Sequence, residues 1–160
     1  MYKQLLVPID LNEPGFTEKA MQMAVWQAKQ SHATIHLLTV LPGVHLAMVS
    51  SYFPKDAARQ ILQETQQQLR AFADTHIPPE IVHHQCVCEG KVWTTIVEHA
   101  VRIGADLIIM PSHQRSTLDH LLLGSVTGKV IENSPINVLI IKPPVEADID
   151  DNDDDGNHED

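Results

Sequence analysis

The stretch from Asp106 to Asn133, DLIIMPSHQRSTLDHLLLGSVTGKVIEN, decides the fold that the sequence predicts. It begins with four apolar residues, Leu107 to Met110, which indicate a strand buried on both faces. A polar loop follows, and Gly124-Ser125 then leads into a predicted helix. The first amides of a helix lack intrahelical acceptors, and the helix dipole favours negative charge beside them. The sequence therefore predicts an anion-binding site at this helix start, and our working hypothesis for the anion is a nucleotide phosphate.

The same alternation of strand and helix extends over the rest of the chain. Apolar runs predict strands, and residues recurring at helical spacing predict helices between them. The predicted strands are Lys3–Ile9, Ala33–Leu41, Ile81–Cys88, Asp106–Met110 and Asn137–Ile141. The predicted helices are Phe16–Gln30, Asp56–Thr75, Val92–Ile103 and Ser125–Glu132. The segment Val44–Phe53 is apolar without a clear period, and we interpret it as a loop or lid.

This order of elements predicts one α/β domain over residues 1–144, built on a doubly wound, parallel, five-stranded sheet with helices on both faces. A chain of 160 residues is long enough for a single core and shows no internal repeat. In such sheets ligands bind beyond the carboxyl ends of the strands, where the strand order reverses. With Gly124-Ser125 nearby, three strand ends would surround this crevice: Pro8-Ile9-Asp10, Thr39-Val40-Leu41 and Pro111-Ser112-His113.

The negative charge of the chain is concentrated near its carboxyl end. The formal net charge is −10, and residues 146–160 contain nine acids and no Lys or Arg. Removing those nine from the 21 acids leaves twelve, against eleven bases. The body of the protein is therefore nearly neutral and lacks the clustered Lys and Arg of a nucleic-acid-binding surface. We interpret residues 145–160 as a disordered acidic tail.

The location predicted from the sequence is the cytoplasm. No apolar run approaches the about 20 residues that span a membrane. The first residues lack the apolar region and cleavage site of a signal peptide. Two cysteines, Cys86 and Cys88, are present, and a disulfide between them is unfavourable because their α-carbons would lie about 6.6 Å apart on one strand. Reduced thiols fit a cytosolic protein.

The run HHQCVC at residues 83–88 could suggest a metal site. On a strand, His84, Cys86 and Cys88 would share one face. A structural zinc site needs four ligands, and the sequence identifies no fourth. We therefore interpret the run as a structural strand with small buried thiols, and predict no metal site.

Three stretches closely resemble the universal stress protein family: LLVPID at residues 5–10, EG at 89–90, and LIIMPSHQRSTLDHLLLGSVTGKVIENSPINVLIIK at 107–142. The resemblance covers Met1 to Lys142. It implies a Rossmann-like sheet in the order 3-2-1-4-5 and a ligand, ATP, with or without Mg²⁺. It also implies a non-catalytic regulatory role in stress, acting through an unidentified protein partner and through a homodimer or tetramer. The apolar last strand, Asn137–Ile141, would be an exposed sheet edge where two chains pair.

Nucleotide-binding members of that family carry the pattern G-x2-G-x9-G-S/T in the loop after the fourth strand. On this sequence the first two glycines fall on Pro111 and Gln114, and the third is Gly124. Glycine there allows unusual φ values and a close approach of the backbone to phosphate, and proline also lacks an N–H donor. The Ser-His form of the loop resembles a subgroup that retains nucleotide binding, so the resemblance still implies ATP.

The resemblance also assigns residues to parts of the nucleotide. Asp10 would approach the ribose or the phosphates, and Val40 would offer backbone groups to adenine. Arg115 suits phosphate oxygens because its guanidinium donates two parallel hydrogen bonds. The complete candidate site consists of Pro8, Ile9, Asp10, Val40, Met110, Pro111, Ser112, His113, Arg115, Gly124, Ser125, Val126 and Thr127.

Two other hypotheses stay open. A slow ATP hydrolase would need a general base or metal ligands, and its only candidates are Asp10, His113 and Asp119, none with a visible partner. A dimeric interaction module without a ligand would account for Pro111 and Gln114. Gly124-Ser125, taken alone, could also be a helix entry with a serine N-cap.

Overall fold

The fold is known from a computed structural model of the chain, which describes residues 1–43, 55–112 and 124–142. Within these residues strands and helices alternate along the chain. They are β1 (Gln4–Pro8), α1 (Pro14–Ser31), β2 (Thr34–Pro42), α2 (Lys55–His76), β3 (His83–Gly90), α3 (Val92–Arg102), β4 (Leu107–Pro111), α4 (Ser125–Asn133) and β5 (Asn137–Ile141). The strands form one parallel sheet in the order β3-β2-β1-β4-β5. The predicted α/β fold and its strand order are confirmed.

The sheet separates two apolar cores because successive side chains of a strand point to opposite faces. In β1, Leu5 and Val7 contribute to the core under α1 and α2, while Leu6 contributes to the core under α3 and α4. All five residues of β4 are buried, as expected for a strand covered on both faces. The continuous apolar run Leu107 to Met110 therefore forms an inner strand of the sheet, beside the central strand β1.

The order of the strands reverses between β1 and β4. From β1 the chain crosses through α1 to β2, and from β4 it crosses through α4, on the opposite face, to β5. β1 and β4 pair at only two positions, Leu5 with Leu107 and Leu6 with Ile108. β2 and β3, in contrast, pair over eight positions. A crevice is expected where two such neighbours diverge toward their carboxyl ends.

Some element boundaries differ from the prediction for identifiable reasons. Helix α1 begins at Pro14, two residues before the predicted start, because proline is well suited to the first helical turn. Strand β3 extends to Gly90, which pairs with Pro42 of β2. Asp106, predicted as the first residue of the fourth strand, accepts hydrogen bonds with its carboxylate from the amides of Lys3 (2.8 Å) and Gln4 (3.1 Å). The predicted lid, Val44–Phe53, lies outside the described residues.

Two glycines adopt backbone conformations that side chains rarely permit. Gly104, with a φ of 64°, follows the end of α3 and confirms the predicted helix stop. Gly90 has a φ of 151°, and a β-carbon placed on it would lie 2.6 Å from Oγ1 of Thr95. In the part of the chain that the structure describes, no helix has the length and apolar character needed to cross a membrane.

Candidate functional site

The carboxyl end of β1 is held rigidly against β2. The amide of Ile9 donates to the carbonyl of Leu38 at 2.8 Å, which continues the strand pairing past Pro8. The buried hydroxyl of Thr39 donates to the carbonyl of Ile9 at 3.1 Å. These two bonds fix the position from which Asp10 leaves the sheet.

Asp10 lies at the start of the turn that leads into α1, and its side chain is exposed. Its Oδ1 accepts a hydrogen bond from the amide of Asn12 at 2.9 Å, and its carbonyl accepts one from the amide of Glu13 at 3.3 Å. The first bond orients the carboxylate, a common role of aspartate in turns. A carboxylate has about four acceptor positions, so this role is compatible with an additional bond to a ligand hydroxyl.

The carboxyl end of β4 keeps regular strand pairing as far as Pro111. Pro111, which replaces the first glycine of the family pattern, is the last residue of β4 and pairs with Ile141 of β5. The following amide, that of Ser112, donates to the carbonyl of Ile141 at 2.9 Å. Met110, Pro111 and Ser112 are all buried. The chain therefore stays bonded to β5 as far as Ser112, past the position of the first glycine of the family pattern.

The start of α4 presents backbone amides in the predicted way. Gly124 is the N-cap, so the serine N-cap considered from the sequence is wrong, and Ser125 is the first helical residue. The first intrahelical bond runs from the amide of Gly128 to the carbonyl of Gly124 at 2.9 Å. The three amides of Ser125, Val126 and Thr127 precede it and point along the helix axis. No acidic residue lies in this first turn.

The side chains at the start of α4 differ in exposure. Ser125 is exposed, Val126 is half-buried, and Thr127 is buried. Because α4 follows β4 and packs through Val130 into the core beneath it, its first turn lies on the carboxyl side of the sheet. The exposed hydroxyl of Ser125 is therefore the side-chain group of this turn best placed to meet a ligand.

The structure brings most of the predicted site to one edge of the sheet. Pro8, Ile9 and Asp10 end β1, Val40 lies near the end of β2, Met110 and Pro111 end β4 and precede Ser112, and Gly124 to Thr127 begin α4. His113 and Arg115 of the predicted site lie outside the described residues, as do Gln114 and Asp119.

One concave surface at this edge was missed by the sequence analysis. A cleft of about 610 Å³ lies between the first half of α1 and the carboxyl ends of β4 and β5. It is lined by Glu13, Gly15, Phe16, Glu18, Lys19, Gln22, Ser112, Ile141 and Lys142. Ser112 is the only member of the predicted site among them. The spacing of Gly15, Lys19 and Gln22 at three and four residues was a signal for one helix face, although it did not indicate a cleft.

This cleft and the start of α4 are different surfaces. The cleft lies beside α1, whereas α4 covers the opposite face of the sheet. The cleft is large enough for a small ligand, but its lining mixes two glutamates with two lysines. A highly anionic group is better stabilised by the unpaired amides at the start of α4.

Comparison with known proteins gives consistent results. Residues 1–142 match the universal stress protein family. Universal stress protein G of Shigella flexneri is 32% identical over 147 residues, which cover 89% of this chain and 100% of that protein. The solved structure of hypothetical protein MJ0577 has a TM-score of 0.75 at 26% identity, covering 90% of this chain and 98% of that chain. A universal stress protein solved in complex with cAMP has a TM-score of 0.57 at 23% identity, covers 88% and 97%, and is similar in fold.

Proposed function

This chain belongs to the universal stress protein family, as its sequence resemblance predicted, and from that premise we propose that it is a cytoplasmic, non-catalytic regulatory protein of the stress response that binds ATP. The observation that carries the proposal is the first turn of α4. Gly124 lets the backbone approach a ligand closely, three amides point out of the helix, and no acid of that turn repels an anion. These are the requirements of a phosphate site.

The strand ends supply the remaining parts of the proposed site. The carboxylate of Asp10, held by the amide of Asn12, accepts a hydrogen bond from a ribose hydroxyl. Val40 offers backbone groups to adenine from the end of β2. Because β2 is the neighbour of β1, this strand end borders a ligand in the crevice between β1 and β4. His113 and Arg115 are proposed to complete the phosphate path. In this arrangement the phosphates rely on the second half of the loop, because Pro111 is committed to β4.

Regulation through this site requires the nucleotide to favour one state of the protein over another. A ligand shifts such an equilibrium only by its difference in affinity for the two states. We propose that the two states differ in their affinity for a protein partner. Co-purification with and without ATP would identify a partner whose recovery depends on the nucleotide.

The direct test is the nucleotide content of the purified protein. We expect adenine nucleotide in the supernatant when protein prepared without added nucleotide is denatured and run on an anion-exchange column. We also expect millimolar ATP with magnesium to raise the melting temperature, because ligands that bind only the native state stabilise it. AMP and cAMP, tested in the same way, measure how much of the affinity depends on the additional phosphates.

Absence of any bound adenine nucleotide, together with an unchanged melting temperature in ATP, would favour a ligand-free interaction module instead. Stoichiometric conversion of ATP to ADP over minutes, lost in Asp10→Ala, would favour a slow hydrolase. An intact nucleotide after prolonged incubation agrees with the proposed non-catalytic role.

We further propose that the protein is a homodimer, or a tetramer built from such dimers, that pairs through β5. This strand ends the sheet order and is bonded to β4 on one side. Its residues from Val138 to Ile141 are half-buried rather than buried, as expected for an edge. Unpaired backbone groups on an edge strand readily bond to another chain.

We expect light scattering coupled to gel filtration to give a mass near twice the chain mass of 17.8 kDa, or four times for the tetramer. Hydrogen exchange of the amides of residues 138–141 should slow as protein concentration rises through the dissociation constant. A monomer at micromolar concentrations, or exchange in β5 that is independent of concentration, contradicts the proposal.

A further inference from the structure

Two cysteines and a histidine meet on the face of the sheet that α3 covers. Cys86 and Cys88 lie two residues apart on β3 and point to the same face, with their sulfur atoms 3.4 Å apart. His99 of α3 is buried, and its Nδ1 lies 3.9 Å from the sulfur of Cys88. One ligand atom from each of the three residues lies within 4.8 Å of the others.

These distances are close to those required around a tetrahedral zinc ion. With Zn–S bonds of about 2.3 Å and Zn–N bonds of about 2.05 Å, two sulfurs lie about 3.8 Å apart, and a sulfur and a nitrogen about 3.6 Å apart. The observed separations of 3.4 and 3.9 Å differ from these by a few tenths of an ångström. The remaining pair, the sulfur of Cys86 and a ring nitrogen of His99, lies within 4.8 Å.

We propose that Cys86, Cys88 and His99 bind a single Zn²⁺ ion, with the fourth position open to water or to a ligand from solution. Two thiolates and one imidazole form a mixed set that suits zinc, whereas magnesium and calcium prefer oxygen. Three protein ligands with an open fourth position occur in zinc sites that bind exogenous groups. This site does not depend on the proposed binding of ATP.

The residues around the cluster agree with this assignment. Both cysteines are free thiols. The imidazole of His99 is buried against the sheet, so it is held beside the two sulfurs.

Arg102 lies one turn after His99 on α3 and contacts the cluster. Its Nη2 donates to Nδ1 of His99 and lies 3.9 Å from the sulfur of Cys88. The side chain of Arg102 is exposed, so it can turn aside when the imidazole binds an ion. From there it still offsets the negative charge of a neighbouring thiolate.

The third ligand is not the residue suggested by the sequence. His84 shares the strand face with the cysteines, but its ring lies 5.2 Å from the ring of His36 on β2 and is absent from the three-residue group. His36 in turn bonds through Nε2 to Oε1 of Gln4. Because a neighbouring helix supplies the third donor, the local sequence HHQCVC could not reveal it.

The test uses Co²⁺ as a spectroscopic substitute for Zn²⁺ on the full chain, reduced with a reductant that contains no thiol. We expect a sulfur-to-cobalt charge-transfer band and the visible bands of tetrahedral Co²⁺, saturating at one equivalent and removed by Zn²⁺. Each serine variant, C86S and C88S, removes one of the two sulfur ligands. The affinity for Co²⁺ should fall strongly, and the charge-transfer band should be lost or reduced to half its intensity. His99→Gln should weaken binding about tenfold or more while both sulfurs remain.

His84→Gln is the matched control, since it removes a histidine from the same strand face and should leave the titration unchanged. Circular dichroism of each variant, compared with the unmodified chain, identifies any that fail to fold. Arg102→Ala, at an exposed position, should bind Co²⁺ at least as tightly as the unmodified chain. A spectrum without charge transfer, which indicates Co²⁺ held by oxygen and nitrogen alone, overturns the proposal. So does loss of binding in His84→Gln with retention in His99→Gln.

Discussion

Replacing Ser125 by glutamate is expected to raise the dissociation constant for ATP by about 100-fold or more, which corresponds to about 2.7 kcal/mol of binding free energy. Ser125 is the exposed first residue of α4, so a carboxylate there would occupy the position proposed for a phosphate. Like charges at close range repel, and the carboxylate would compete for the same amides. The measurement is isothermal titration with ATP and magnesium.

The fold should tolerate this change. An acidic residue in the first turn of a helix interacts favourably with the helix dipole, so the melting temperature without ligand should be unchanged or slightly higher. Ser125→Ala keeps the backbone amides and should weaken ATP binding far less. Gln68→Glu adds the same charge to an exposed position of α2 and controls for net charge. Unchanged ATP affinity in Ser125→Glu would show that the phosphates bind elsewhere, for which the cleft beside α1 is the first candidate.

Gly90→Ala is expected to lower the free energy of unfolding by about 3 kcal/mol, a large part of the stability of a single domain. Two penalties act at the same residue. Its φ of 151° is a conformation that residues with a β-carbon rarely adopt, and the added β-carbon would lie 2.6 Å from Oγ1 of Thr95. Rotation of Thr95 relieves the second penalty but not the first. Urea denaturation measures the effect.

Two other glycines serve as controls because each lacks one or both penalties. Gly104 has a φ of 64° but open space around it, so Gly104→Ala should cost about 1 kcal/mol. Gly128 lies within α4 with nothing within 4 Å of an added β-carbon, so Gly128→Ala should stabilise the protein by about 0.5 to 1 kcal/mol. A loss for Gly90→Ala no larger than that for Gly104→Ala would contradict the steric argument at Thr95.

The sheet was predictable because its evidence is local. Strands buried on both faces are continuous apolar runs, as in Leu107 to Met110, and their alternation with helices leaves parallel pairing as the natural arrangement. The strand order came from the family resemblance rather than from periodicity. The ends of the elements were less predictable because they depend on neighbouring strands. Gly90 belongs to β3 because β2 reaches Pro42, which pairs with it.

A candidate site was easier to predict when its residues are close together in the sequence. The start of α4 at Ser125 follows from the local sequence Gly124-Ser125, and the alternative with Ser125 as a helix N-cap is wrong because Gly124 takes that position. His99 was missed because it lies eleven residues after Cys88 on another element, and helical periodicity does not tell which turn lies over which strand. The cleft beside α1 depends on the packing of three elements and had no comparable signal.

The short pairing between β1 and β4 has a mechanical consequence. Eight registered positions join β2 to β3, but only two join the three-stranded half of the sheet to the two-stranded half. Because few paired positions join the halves, we infer that the angle between them changes more readily at this seam than between β2 and β3. A nucleotide bound across the seam would contact Asp10 on one side and the start of α4 on the other. It would therefore restrict changes in the angle between the two halves. In the proposed dimer this effect would extend to β5, the edge strand at which the second chain is proposed to pair.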